Sequence, residues 1–279
     1  MDPWKIGEGH DRGLPEDFSA FVVFLQLNAW QLGGAAKKIT HAGNARNQDR
    51  AIVARGDGTV WLRHPGSRFK KVANSSGEVT GLAIGAEGRL ATRLVDEEKV
   101  EMIDLEEKKV VSSWDLPSPS LEIILLDTGE VVVSHLDGTI TIWNPEDASK
   151  PKAQIRLASK SPNGLHLRAL PQKAEFMACL DGDLVIHHFS ADDGEAVGPP
   201  IRHERGLYWM LFAGYAIDQG AEGKGVLRVW SLRLRSEIVP PIEHPDQILW
   251  VTILDNGGRI ATSCGDKRIR RWIIDGSAE

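Results

Sequence analysis

HPDQILWVTILDNGGRIATSCGDKRIRRWII, residues 244–274, carries the pattern on which the fold turns. Ile248, Trp250, Thr252 and Leu254 alternate along a run of strand length, and Gly257–Gly258 ends it. A second short run closes at Thr262, and an Asp266–Lys267 turn leads into Ile269 and Trp272. Alternation with period two, cut by Gly and Asp turns, is the mark of half-buried strands joined by hairpins.

The second half of this stretch recurs upstream. GDGTVWLRH (56–64), DEEKVEMIDL (96–105), LDGTITIWN (136–144), LDGDLVIHHF (180–189) and GKGVLRVWSL (223–232) each place a turn before an alternating strand, as GDKRIRRWII (265–274) does. The position held by Trp143, Trp230 and Trp272 falls on Arg63, Ile103 and His187 in the others, at spacings of 40, 40, 44, 43 and 42 residues. A strand-bearing repeat of this length predicts a propeller, in which each unit is a four-stranded sheet that buries its faces only against its neighbours.

The rest of each unit agrees. Val79–Ile84, Leu121–Leu126, Leu207–Phe212 and Ile248–Leu254 are apolar runs of strand length ahead of a second short strand. The 28 glycines suit many tight turns, and helical periodicity is nearly absent. The outer strands are expected at Lys109–Trp114, Lys152–Leu157, Ala196–Arg202 and Ser236–Ile242. Two of them carry Pro199–Pro200 and Pro240–Pro241, and proline belongs on an edge, where one side has no ladder.

With these residues the chain resembles the WD-repeat β-propellers from about residue 50 to 274. VGPPIRH (197–203) and VPPIEHPD (239–246) are similar to phrases in the propeller tails of bacterial multidomain proteins. The resemblance implies a structural tetrad: a His in the loop before a blade, a Ser or Thr on its second strand, an Asp in the next turn and a Trp on its third strand. Those positions fall on His244, Thr262, Asp266 and Trp272. Elsewhere the pattern breaks. Trp143 has Asp137 but no His in the matching loop, Trp230 has His203 but Lys224 in place of Asp, and Arg63 and His187 replace the Trp. The expected architecture is all-β, with six four-stranded antiparallel blades and seven as the alternative. Residues 1–17 are read as a flexible leading segment and 18–279 as one domain. FSAFVVFLQL (18–27) has two readings: the outer strand that completes the last blade, with AKKITHAGN (36–44) innermost in the first, or the innermost strand of the first blade.

Composition narrows the function classes. The chain has 279 residues, 42% of them hydrophobic, enough for a substantial core, and a net charge of −6. That balance argues against binding nucleic acid or an anionic membrane through bulk electrostatics. Cys179 and Cys264 are too few for a disulfide framework and fit a reducing, cytoplasmic setting. The N-terminus lacks the basic region of a secretory signal. Phe18–Leu27 is about half the roughly twenty residues a spanning helix needs.

Several constellations have a structural reading that outweighs a chemical one. His187 and His188 are neighbours on a strand and point to opposite faces, so they do not chelate one ion. Asp181, Asp183, Asp192, Asp193 and Glu195 lie at Gly-containing turns without the spacing of a calcium loop. Cys179 and Cys264 both lie eight residues before the repeat's Trp position, which reads as a small core slot. No phosphate loop and no nucleophile–base motif stands out, so no catalytic residue, metal or cofactor is assigned.

The aromatics point to a partner. Trp209 lies six residues after His203 and Trp250 six after His244, both at the start of an innermost strand, where a propeller has its channel mouth. With Tyr208 they form a candidate anchor, and Arg205, Lys267 and Arg268, in loops on the same face, add charge. The leading expectation is a non-catalytic interaction scaffold, a monomer or part of a larger complex, for an unidentified protein partner. The alternative is a propeller enzyme or a binder of a sugar-like ligand at the channel mouth.

Overall fold

The computed structural model describes residues 6–8, 39–45, 50–55, 57–64, 67–74, 77–85, 90–157, 164–170, 173–180, 185–202, 207–211, 215–219, 225–231, 236–237, 239–246, 248–254, 259–266 and 268–274. Every regular element among them is a strand, and every strand pairing described is antiparallel. The strands are numbered in chain order. The leading strand, β1, spans Ile6–Glu8. The next sheet holds β2 (Ile39–Ala45), β3 (Arg50–Arg55), β4 (Thr59–Arg63) and β5 (Lys70–Asn74), paired in sequence order. Another holds β6 (Val79–Ile84), β7 (Leu90–Val95), β8 (Lys99–Asp104) and β9 (Lys109–Asp115). After it come β10 (Ser120–Leu125), β11 (Val131–His135), β12 (Thr139–Trp143) and β13 (Ala153–Arg156).

β14 (Leu165–Ala169), β15 (Glu175–Leu180), β16 (Val185–Ser190) and β17 (Ile201–Arg202) make the fourth sheet. The fifth has β18 (Leu207–Leu211), β19 (Tyr215–Gln219), β20 (Gly225–Ser231) and β21 (Ser236–Glu237), and β22 (Ile242–Glu243) also pairs β20. The last has β23 (Ile248–Leu254), β24 (Arg259–Cys264) and β25 (Ile269–Ile274), with β1 beside β25. The register there sets Ile6 against Ile274 and Glu8 against Trp272. The outer place that the sequence offers to 18–27 is therefore filled by a strand from within the first 17 residues. The 18–27 stretch lies outside the described residues. β2, from the polar AKKITHAGN run, is the first strand of its sheet.

The chain divides into two compact units. The larger comprises Val23–Leu180 and His187–Pro199, the smaller Met1–Val22, Asp181–Ile186 and Pro200–Glu279. In the larger unit the first strands β2, β6, β10 and β14 lie against one another in succession, so these strands are innermost. The core fills the seams between successive sheets. Ile52, Val60, Val79, Ala91 and Ile103 close the seam between the β2–β5 and β6–β9 sheets, and Met102, Trp114, Ile123, Val133 and Trp143 close the next. β8 serves both seams because alternate residues leave opposite faces of a strand. β11 and β12 are buried at every position, as befits strands covered on both faces.

The turns before β4 and β12 repeat to the atom. Thr59 and Thr139 each donate backbone N–H and hydroxyl to the Asp two residues earlier, Asp57 or Asp137, at 2.6–3.1 Å. Gly58 and Gly138 between them take φ of 78° and 80°. An L side chain there costs about 1–2 kcal/mol. Gly138→Ala should therefore lower the thermal midpoint without changing the folded spectrum; an unchanged midpoint in a melting experiment contradicts the assignment.

Candidate interaction surface

Among the described residues, the first strands of five of the six sheets break register at the same place. The pairing skips Thr40 in β2, Thr80 in β6, Leu121 in β10, Tyr208 in β18 and Leu249 in β23. A bulge resets which face the following side chains take. The residues that follow are His41, Gly81, Glu122, Trp209 and Trp250, so the two tryptophans singled out by sequence occupy one repeat position on β18 and β23. β14 pairs straight through, from Leu165 against Leu180 to Ala169 against Phe176.

Where side chains at this level are described, they tie sheets together. The Glu122 carboxylate accepts from the Leu167 amide at 2.8 Å and from Arg168 Nη1 at 2.5 Å, joining β10 to β14 in the larger unit. His166 Nδ1 lies 3.8 Å from the same carboxylate. In the smaller unit, Ile248 pairs Cys264, which sets the start of β23 beside the turn leading to β25. Arg268 in that turn is exposed, and its amide donates to Asp266 Oδ1. Arg205 and Lys267 lie outside the described residues.

The tetrad residues of the last sheet form a circuit of three. His244 and Thr262 are 1% exposed, and Trp272 6%. His244 Nδ1 donates to the Ile242 carbonyl at 3.3 Å. Its Nε2 accepts from the Thr262 hydroxyl at 2.8 Å, and that oxygen accepts from Trp272 Nε1 at 3.1 Å. Asp266 bonds elsewhere, to Arg270 Nη2 at 2.6 Å and Nη1 at 3.2 Å. The Arg270 guanidinium holds its carboxyl well below the usual carboxylate range.

The same circuit appears in the β10–β13 sheet, where the sequence shows no His in the expected loop. His135, on β11, donates from Nδ1 to the Ser118 carbonyl at 2.9 Å and accepts at Nε2 from the Thr141 hydroxyl at 2.7 Å. Thr141 in turn accepts from Trp143 Nε1 at 2.8 Å. Histidine now comes from the second strand and threonine from the third, each one element later than in the last sheet, which takes them from the entering loop and the second strand. The detectable signal was the spacing of His135, Thr141 and Trp143 along one hairpin. Burial pushes the imidazoles of both His135 and His244 down from their ordinary value.

The remaining candidates are committed to local structure. His188 Nε2 lies 3.0 Å from Glu175 Oε2, while His187 stacks on Phe189. Asp193 accepts the Glu195 amide at 3.0 Å, and Asp192 lies 3.2 Å from the Lys152 ammonium. Asp181 and Asp183 lie outside the described residues. Cys179 and Cys264 are buried and in no disulfide, and Cys264 donates to the Asp246 carbonyl at 3.1 Å. Arg55, at the equivalent place on β3, sets its guanidinium 4.6 Å from the Trp61 ring centre. Among the described residues no three His, Cys, Asp or Glu side chains are grouped to hold a metal ion, and no helix is long and apolar enough to cross a membrane.

Comparison with known proteins bears on the fold. The structure is similar to the C-terminal WD40 domain of Sif2, with a TM-score of 0.63 over 88% of this chain and 68% of that one, at 12% sequence identity. With the antiparallel four-stranded sheets, that likeness shows an all-β propeller fold. No family model matches the chain, and no curated protein matches it by sequence. Since 1734 solved chains match the structure, shape alone singles out no activity.

Proposed function

We propose that this chain is a non-catalytic protein-interaction module. It binds a protein partner through the starts of β18 and β23, the first strands of their sheets, and the turns beside them. The observation that carries this reading is the shared bulge ahead of Trp209 and Trp250. Bulges are retained where a strand must re-aim a side chain, and two tryptophans at one repeat position supply the amphipathic bulk that dominates binding hot spots. Tyr208 takes the bulged place in β18. Arg268, exposed in the turn before β25, adds a basic contact there that favours an acidic partner segment. The described histidines support the same reading, since His135, His188 and His244 serve hydrogen-bonded structure. Two buried cysteines outside any disulfide favour a reducing, cytoplasmic setting.

The test is affinity capture with the full chain beside a Trp209→Ala/Trp250→Ala variant. Loss of one hot-spot residue costs about 2 kcal/mol or more, roughly thirtyfold in Kd. The double variant should therefore fail to retain proteins the parent retains, at an unchanged melting temperature. Identical sets of captured proteins would sink the assignment of this surface. Stabilisation by a sugar or a nucleotide in a thermal-shift screen, abolished in the double variant, would favour a small-ligand site instead.

A further inference from the structure

We propose that β9 is a self-recognition edge through which two copies of this chain pair antiparallel about Ser112. A blade's outer strand has a hydrogen-bonded neighbour on one side only, and such edges are normally kept short, charged or interrupted by proline. Most outer strands here follow that rule. β13 has four residues, and β17, β21 and β22 have two each, with Pro199–Pro200 or Pro240–Pro241 close by. β5 has five and opens on exposed Lys70 and Lys71.

β9 breaks it. It runs seven residues without proline and leaves Val110 and Val111 43% and 45% exposed. Both are exposed because the register against β8 skips one residue. Met102 faces Ser112 and Ile103 faces Val110, so Val111 is extra and shares a sheet face with Val110. A bulge commonly blunts an edge; this one leaves a double apolar step on it.

Charge selects the second copy as the occupant. A two-fold axis through Ser112, normal to the sheet, sets Val110–Val111 of each copy across from Ser113 of the other. It sets Asp115 of each against the other's Lys108–Lys109 end. Centring the pair on Val111 would instead oppose Glu107 and Asp115, two like charges. Opposite charges across a strand pair stabilise it and like charges destabilise it. Lys109 now contacts Glu107, with the two side chains 60% and 49% exposed. An ion pair so open to water exchanges at little cost. A single pair of edge strands buries less than a standard interface, so the dimer is weak and concentration-dependent.

Sedimentation equilibrium of the full chain tests this independently of the partner surface. The parent should shift from monomer to dimer mass as concentration rises. Asp115→Lys, and separately Lys108→Asp/Lys109→Asp, should each raise the dissociation constant about tenfold or more. An equimolar mixture of the two variants should regain the dimer, because opposite charges then face each other at both ends. That rescue also shows that the variants are folded. A parent that stays monomeric, a dimer indifferent to both substitutions, or a mixture that stays monomeric overturns the proposal.

Discussion

Glu101→Ala should be among the most destabilising single substitutions in the larger unit, at about 3–5 kcal/mol, because it strands a buried cation. Arg93, on β7, is 1% exposed. Its Nε donates to Glu101 Oε2 at 2.7 Å, and its Nη2 contacts the same oxygen. Nη2 also donates at 2.7 Å to the Asn74 carbonyl at the end of β5, so the guanidinium crosses the seam between two sheets. Lys99 Nζ, 3.3 Å from Glu101 Oε1, lies at the exposed end of the cluster and cannot replace the carboxylate. Removing both charges should do less harm than removing one. Arg93→Met/Glu101→Leu offers apolar contact to Ala91 and Ile103 and leaves no buried ion unpaired, Lys99 being at the exposed end. Denaturant unfolding of the parent, Glu101→Ala and the double variant decides the matter. A loss below about 1 kcal/mol for Glu101→Ala would mean that water reaches the guanidinium and that the seam is open.

That ion pair also shows where reading the chain as text stops. The repeated turn and third strand are legible because their signals are local: TITIW alternates, Asp137–Gly138–Thr139 closes its own turn, and the spacing needs only counting. Arg93 and Glu101 sit on neighbouring strands eight residues apart, in runs whose charges look solvated. Only the packing of a second sheet over that face makes them a buried pair. The strand completing the last sheet was hidden for a similar reason. Ile6–Glu8 is three residues long and pairs with the far end of the chain, while the apolar FSAFVVFLQL draws the eye. His135 escaped because the family pattern places its histidine in the loop before a blade. Here the same hydroxyl-to-indole geometry is reached from the strand alongside. Trp209 and Trp250 were legible as a pair, but the bulge that gives them a common setting is a property of pairing and has no signature in either run alone.

Stability should fall as pH drops below 6.5, the ordinary imidazole value, and the two His–Thr–Trp circuits should cause it. In each, Nδ1 faces a backbone carbonyl and so carries the proton, which leaves Nε2 as the acceptor for the threonine hydroxyl. A second proton would place a charge in a dry seam and reverse that hydrogen bond. Burial accordingly lowers both imidazoles in the folded chain, with Asp137 and Asp266 opposing it only in part. Arg270 works in the same direction as burial at His244. Below 6.5 the unfolded chain binds protons that the folded chain resists. The stabilisation is therefore complete above that value and lost as pH falls toward the lowered folded value. Each histidine contributes a slope of up to about 1.4 kcal/mol per pH unit. Asp137 and Asp266 titrate in a separate window, since their carboxyls are held below the ordinary 3.8 and their contribution survives until pH falls beneath it. Thermal unfolding from neutrality to about pH 5 should thus give a falling midpoint for the parent. The fall should be clearly shallower for His135→Gln/His244→Gln, whose amides can hydrogen-bond but do not titrate. If the parent and the variant lose stability in parallel over that range, the acid sensitivity lies elsewhere and neither circuit is closed as described.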